Sequence, residues 1–113
     1  MDKRSFYLYP PMNILIIGNG GREHALADKV SSSPNCKNLF IAPGNAGTHI
    51  LGKNIAIDPM DFPSLKAFVV SEKIDLVIVG PEGPLVGGIV DFFHEEEELK
   101  SVAIIGPDRQ GAM

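Results

Sequence analysis

Read only for apolar and polar positions, the chain alternates short unbroken apolar runs with segments of helical period. The runs "NILII" (13–17), "NLFIA" (38–42) and "DLVIV" (75–79) are each followed by Gly or Pro; "VAII" (102–105), closed by "GP", is a fourth and "NIAI" (54–57) a shorter, weaker fifth. A strand that is apolar at successive positions is covered on both faces, as in a parallel sheet held between layers of helices. Between the runs, apolar residues recur at helical spacing. Ala25, Leu26 and Val30 are expected to face inward from a helix over roughly 21–32. Phe62, Leu65, Phe68 and Val69 form one face of a second helix, with Asp61 as its N-cap and Pro63 tolerated in the first turn. Val86, Ile89, Val90 and Phe93 repeat at i, i+3, i+4 and i+7 and predict a third. Gly87 and Gly88 each cost that helix up to about 1 kcal/mol relative to Ala, which predicts close packing against the sheet. The run "EEEEL" (95–99) reads as a solvated helix end and turn.

This alternation predicts an α/β fold: three layers around an open, mostly parallel, Rossmann-like sheet of about five strands with right-handed crossovers. Residues 12–113 form one domain on this reading. Residues 1–11 are an extension, expected to be disordered, because patterning starts at Met12 or Asn13 and Met12 could itself be a start. A further helix is expected after the last strand, in "GPDRQGAM", where the chain stops; this predicts a fragment of a longer polypeptide.

Composition then removes several function classes. With 10 basic and 14 acidic residues among 113, the net charge is −4 and no basic stripe is present, which disfavours nucleic-acid binding. Cys36 stands alone, so neither an intrachain disulfide nor a sulfur-ligated zinc site can form, in keeping with a reducing cytosol. No apolar run approaches the roughly 18 residues of a membrane span, and "SFYLYPP" is too short and proline-broken for a signal peptide.

The chemistry concentrates where strands give way to loops. "GNGGREHALA" (18–27) follows the first strand and opens a helix. In open α/β sheets ligands bind outside the carboxyl ends of strands where strand order reverses, and free N–H groups at a helix N-terminus attract anions. Gly20 and Gly21 therefore read either as a tight turn or as a phosphate cradle. Arg22 is unfavourable at the positive end of a helix but becomes an asset beside a phosphate, which guanidinium grips bidentately; its other reading is a side chain extended to solvent. Glu23 suits a helix N-terminus without any further role, and His24 reads as a positioning or core-edge residue. A dinucleotide fingerprint would require Gly where Glu23 stands and an acidic residue about 20 positions on; neither requirement is met. In "APGNAGT" (42–48) Asn45 offers a donor and an acceptor, or the stretch is merely a turn. In "VGPEGPLVGGIVD" (79–91) Glu82 lies between two prolines, either to accept hydrogen bonds from hydroxyls or an amine, or to cap a helix. If the first and fourth strands flank the reversal point, their loops face each other across one crevice. Among these residues none is a candidate catalytic group or metal ligand.

"GNGGREHALA", "APGNAGT", "IDLVIVGPEGPLVGGIVD" and "IIGPDRQGA", in this order, resemble the phosphoribosylamine–glycine ligases (glycinamide ribonucleotide synthetases) from about Met12 to Met113. The resemblance implies the N-terminal, pre-ATP-grasp domain of an ATP-grasp ligase. That family of cytoplasmic enzymes of de novo purine (IMP) biosynthesis joins glycine to 5-phosphoribosylamine through a glycyl phosphate, yielding glycinamide ribonucleotide, ADP and phosphate. Gly20, Gly21 and Arg22 would then belong to the phosphate-facing loop, and Asn45 and Glu82 to loops facing the ribose and its amine. ATP and Mg²⁺ or Mn²⁺ serve the full-length family, but their ligands lie in ATP-grasp domains that this chain lacks. The fragment is accordingly expected to bind neither and to be inactive alone, its partners being 5-phosphoribosylamine and the rest of the enzyme. The alternative is a nucleotide- or NAD-binding Rossmann domain of an oxidoreductase, against which Glu23 argues.

Overall fold

The computed structural model describes residues 10–106, so the extension expected over 1–11, apart from Pro10 and Pro11, and the helix expected beyond Gly106 lie outside the described residues. Five strands, β1 (Met12–Gly18), β2 (Cys36–Pro43), β3 (Lys53–Asn54), β4 (Leu76–Val79) and β5 (Ala103–Ile105), form one sheet in the order β3-β2-β1-β4-β5. Every pairing is parallel. The order reverses at β1, which pairs with β2 on one side and β4 on the other.

Strand side chains alternate between two cores, and this is why the runs are apolar throughout. Ile14 and Ile16 of β1 and Leu39 and Ile41 of β2 meet Ala27, Leu26 and Val30 of α1 (Gly21–Ser31) on one face. Leu15, Ile17, Val77 and Val79 meet Leu65 and Val69 of α3 (Phe62–Ser71), and Ile89 and Phe93 of α5 (Ile89–Glu95), on the other. Phe40 reaches the second core from β2, its ring edge-on to Phe68 with centroids 5.2 Å apart. The sheet is thus the middle of three layers, with α2 (Thr48–Leu51) beside α1 and α4 (Glu82–Val86) following β4. Asp61 caps α3: its carboxylate accepts from the Ser64 amide at 3.2 Å and from the Ser64 hydroxyl at 2.7 Å.

Four expectations need correction. The third helix is not continuous. It divides into α4 and α5 at Gly87–Gly88, where Gly88 takes φ 94°, a left-handed conformation that L side chains rarely adopt. These glycines turn the chain rather than press it on the sheet: a methyl at Gly87 would meet Met60 and the Gly83 carbonyl, and one at Gly88 would meet none of the described residues within 4 Å. Val86 consequently leaves the inward face and is 74% exposed. On α1, Ala25 is exposed, and Glu23 and Ala27 are the buried positions. The run at 54–57 pairs only at its start, as β3, after which Ile55 and Ile57 pack against the core from irregular backbone. The acidic run, by contrast, is the solvated helix end and turn expected: it ends α5 and enters a 3₁₀ turn over Glu97–Leu99, with Glu97 and Glu98 exposed, Leu99 buried, and Glu96 and Glu98 3.7 and 3.6 Å from Lys66.

Candidate functional site at the carboxyl ends of β1 and β4

The β1–α1 and β4–α4 loops meet at the reversal point. Parallel pairing continues past the strands: the Gly80 amide donates to the Ile17 carbonyl at 3.0 Å and the Gly44 amide to the Gly18 carbonyl at 3.0 Å. The loops after β1, β2 and β4 are therefore registered by backbone bonds before any side chain acts.

Gly20 is the N-cap of α1 and supplies no side-chain cap. The first helical bond runs from the His24 amide to the Gly20 carbonyl at 3.0 Å, so the amides of the first turn have no partner within the helix. Among the described residues, nothing lies within 4 Å of the space beside the Gly21 Cα that a methyl would occupy. Arg22, exposed, reaches across the crevice and donates from Nη2 to the Gly80 carbonyl at 3.1 Å. One cation is thus fixed beside a row of helix-terminal amides, an arrangement that attracts anions.

Asn45 approaches the same loop from β2. Its Nδ2 donates to the Asn19 carbonyl at 2.8 Å, and its Oδ1 accepts from the amides of Gly47 at 2.8 Å and Thr48 at 3.0 Å. The Thr48 hydroxyl, fully buried, joins Asn45 to Asn54, whose own amide donates to the Asn45 carbonyl at 2.8 Å. The Asn45 side chain is therefore engaged in holding the β2–α2 loop against the glycine loop. Glu82 begins α4 directly after Pro81 and is exposed. His24 is exposed, with its ring lying against Gly47.

The structure brings Arg22 and the Gly20–Gly21 turn to one side of the crevice and Gly80 to the other, and Asn45 braces the first from behind. Residues 12–113 match the family model described as phosphoribosylglycinamide synthetase, N domain. The chain belongs to this family.

Relatives named phosphoribosylamine–glycine ligase agree with the assignment to the phosphoribosylglycinamide synthetase N domain. That of Haemophilus influenzae is 52% identical over 103 residues, covering 89% of this chain and 23% of the relative. That of Escherichia coli strain K12 is 57% identical over 98 residues, covering 85% and 22%. The Pasteurella multocida protein is 52% identical over 103 residues, covering 89% and 23%. The chain thus spans under a quarter of the length of these relatives. The matched stretch contains Gly20, Gly21, Arg22, Asn45 and Glu82, and the oxidoreductase alternative finds no support in it.

Two features of this N domain went unread in the sequence. Glu23 is only 6% exposed, its carboxylate lodged against Gly18, Gly20 and Gly80. Nothing in "GREH" marks it as buried, because an acidic residue in a first helical turn is ordinary on a surface. The second is a largely apolar cavity of about 420 Å³ whose lining includes Arg22, Leu26, Ile78, Ile105 and Gly106. It opens on the α1 face beside β5, where Ile105 is 52% exposed. Among the described residues no group of three or more His, Cys, Asp or Glu side chains could hold a metal, and no helix is long and apolar enough to cross a membrane.

Proposed function

We propose that the chain is the phosphoribosylamine-binding N-terminal part of a cytoplasmic phosphoribosylamine–glycine ligase. The reaction joins glycine to 5-phosphoribosylamine with ATP and yields glycinamide ribonucleotide, ADP and phosphate. The observation that carries this reading is the bond from Arg22, in the first turn of α1, to the Gly80 carbonyl, which fixes a guanidinium between the loops after β1 and β4, where the strand order of the described sheet reverses.

The phosphate of the sugar sits on the Gly21 and Arg22 amides, with the Arg22 guanidinium as counter-charge; charge-assisted bonds of this kind contribute about 1.5–3 kcal/mol each. Glu82, exposed at the start of α4, accepts hydrogen bonds from ribose hydroxyls or the amine. Asn45 acts indirectly, keeping the glycine loop in place. The domain therefore binds and orients one substrate, and supplies no acid, base or nucleophile to the reacting atoms. ATP and Mg²⁺ or Mn²⁺ belong to the ATP-grasp domains of the longer polypeptide. ATP activates the glycine carboxyl there, and the isolated chain does not carry out ligation.

A chimera tests this. Residues 12–113 replace the matched region of the Escherichia coli relative, and ATP-dependent ligation of glycine to 5-phosphoribosylamine is assayed. Activity is expected, with Arg22→Ala raising the KM for the phosphoribosylamine and leaving that for ATP unchanged. A folded but inactive chimera, or an Arg22→Ala chimera with unaltered KM values, would overturn the assignment.

A further inference from the structure

Glu23 is buried between the loops that follow β1 and β4. Its side chain occupies the space that a Cβ would need at two glycines, one ending β1 and one directly after β4: a methyl built on Gly18 or on Gly80 would fall on Glu23 Cγ, Cδ and Oε1. A methyl on Gly20 would lie 3.3 Å from Oε2. Gly18 also needs its glycine for φ 143°, but Gly80 has no positive φ, so the close approach of Glu23 accounts for its missing side chain. The adjacent Arg22 spans the same gap and holds the Gly80 carbonyl at 3.1 Å. Two consecutive residues of α1 therefore bear on Gly80, one filling the gap and one bridging it.

We propose that Glu23 is a positioning residue whose bulk sets the separation of the β1–α1 and β4–α4 loops, and so keeps Arg22 and Glu82 in register for a phosphorylated sugar. The last clause rests on the sugar-phosphate reading of the crevice; the wedge itself does not. Bulk rather than charge is the operative property because the surfaces that Glu23 fills are glycine backbones, and the neighbouring guanidinium turns to a carbonyl. The carboxylate is tolerated there by the positive end of α1, in whose first turn it lies.

The test is a cycle on the 113-residue chain with Glu23→Ala, Gly80→Ala, the double variant and Glu23→Gln, read by ribose 5-phosphate titration and by amide NMR spectra of the unliganded protein. A methyl at Gly80 displaces the wedge, so both single variants are expected to lose affinity by about tenfold and the double variant to lose no more than the worse single. Glu23→Gln, which keeps the shape, is expected to stay within about twofold of wild type. Without ligand, Glu23→Ala and Gly80→Ala are expected to move the Gly80 and Glu82 amide resonances, and Glu23→Gln to leave them in place. Losses that multiply in the double variant, or a Glu23→Gln variant as impaired as Glu23→Ala, would overturn the proposal. If the wild-type chain does not bind ribose 5-phosphate, the sugar-phosphate reading fails and the unliganded resonances alone decide the wedge: unmoved resonances in Glu23→Ala refute it.

Discussion

The two ends of the sheet are built from opposite materials. At the amino ends of β1 and β2, side chains of the strands tie the elements together. The Asn13 amide donates to Asp75 Oδ2 at 2.8 Å, its Nδ2 donates to the Glu72 and Lys73 carbonyls at 3.3 and 3.2 Å, and its Oδ1 accepts from Asn38 at 2.8 Å. One asparagine thereby joins β1 to β2 and to the turn before β4. At the carboxyl ends the corresponding positions are Gly18 and Gly80; backbone bonds continue the register, and the side chains that join the loops, Arg22 and Asn45, come from α1 and the β2–α2 loop rather than from the strands. The same parallel ladder is thus joined by side chains of the strands themselves at one end, and by glycine backbone with side chains from outside the sheet at the other. On the proposed reading, strand side chains at the carboxyl ends would occupy the space that the sugar phosphate takes.

Substitutions at the two ends should therefore separate stability from binding. The largest expected effect is at Gly18→Ala, where a side chain meets both the strain of φ 143° and the Glu23 carboxylate. A loss of about 1–3 kcal/mol in urea unfolding is expected, together with loss of ribose 5-phosphate binding in the folded protein. Asn13→Ala should cost about 1 kcal/mol, since it removes bonds that water can partly replace, and should leave ribose 5-phosphate affinity unchanged. If the amino-end variant lost affinity as well, the division of labour would be wrong.

The smallest effect lies at Cys36, half-buried at the start of β2. Burial raises its pKa above the ordinary thiol value, so the folded state favours the neutral thiol. The folded pKa then exceeds the unfolded one: stability is unaffected below the ordinary thiol range and declines as pH rises through it towards the folded value. Urea unfolding at neutral and alkaline pH should show this decline, and Cys36→Ala should remove its contribution.

Much of this was legible in the sequence for a physical reason. Runs such as "NILII" are apolar at every position because alternate residues enter different cores, Ile14 and Ile16 one and Leu15 and Ile17 the other. The parallel three-layer sheet follows from that pattern, whereas the reversal at β1 enters the sequence reading only as a condition and is given by the strand order. The helix predicted through Val86 failed because hydrophobic spacing persists across Gly87–Gly88 while the backbone does not: a left-handed φ at Gly88 leaves no trace in periodicity. Glu23 escaped for a related reason. Its burial depends on two glycines 62 residues apart, Gly18 and Gly80, that only the β1–β4 pairing brings together. Asn45 was legible as a residue of the crevice loops, but its engagement with Asn19, Gly47 and Thr48 depends on backbone geometry that residue types do not specify.

The most direct measurement is a titration of the ¹⁵N-labelled chain with ribose 5-phosphate, followed by amide chemical shifts in wild type and Arg22→Ala. The account expects shifts concentrated at Gly20, Gly21, Arg22, Gly80 and Glu82, with Asn13 and Asp75 unmoved. It also expects affinity lower by at least about tenfold in Arg22→Ala, the loss of one charge-assisted contact. Shifts clustered at the amino ends of the strands, or equal affinity in the two proteins, would contradict it.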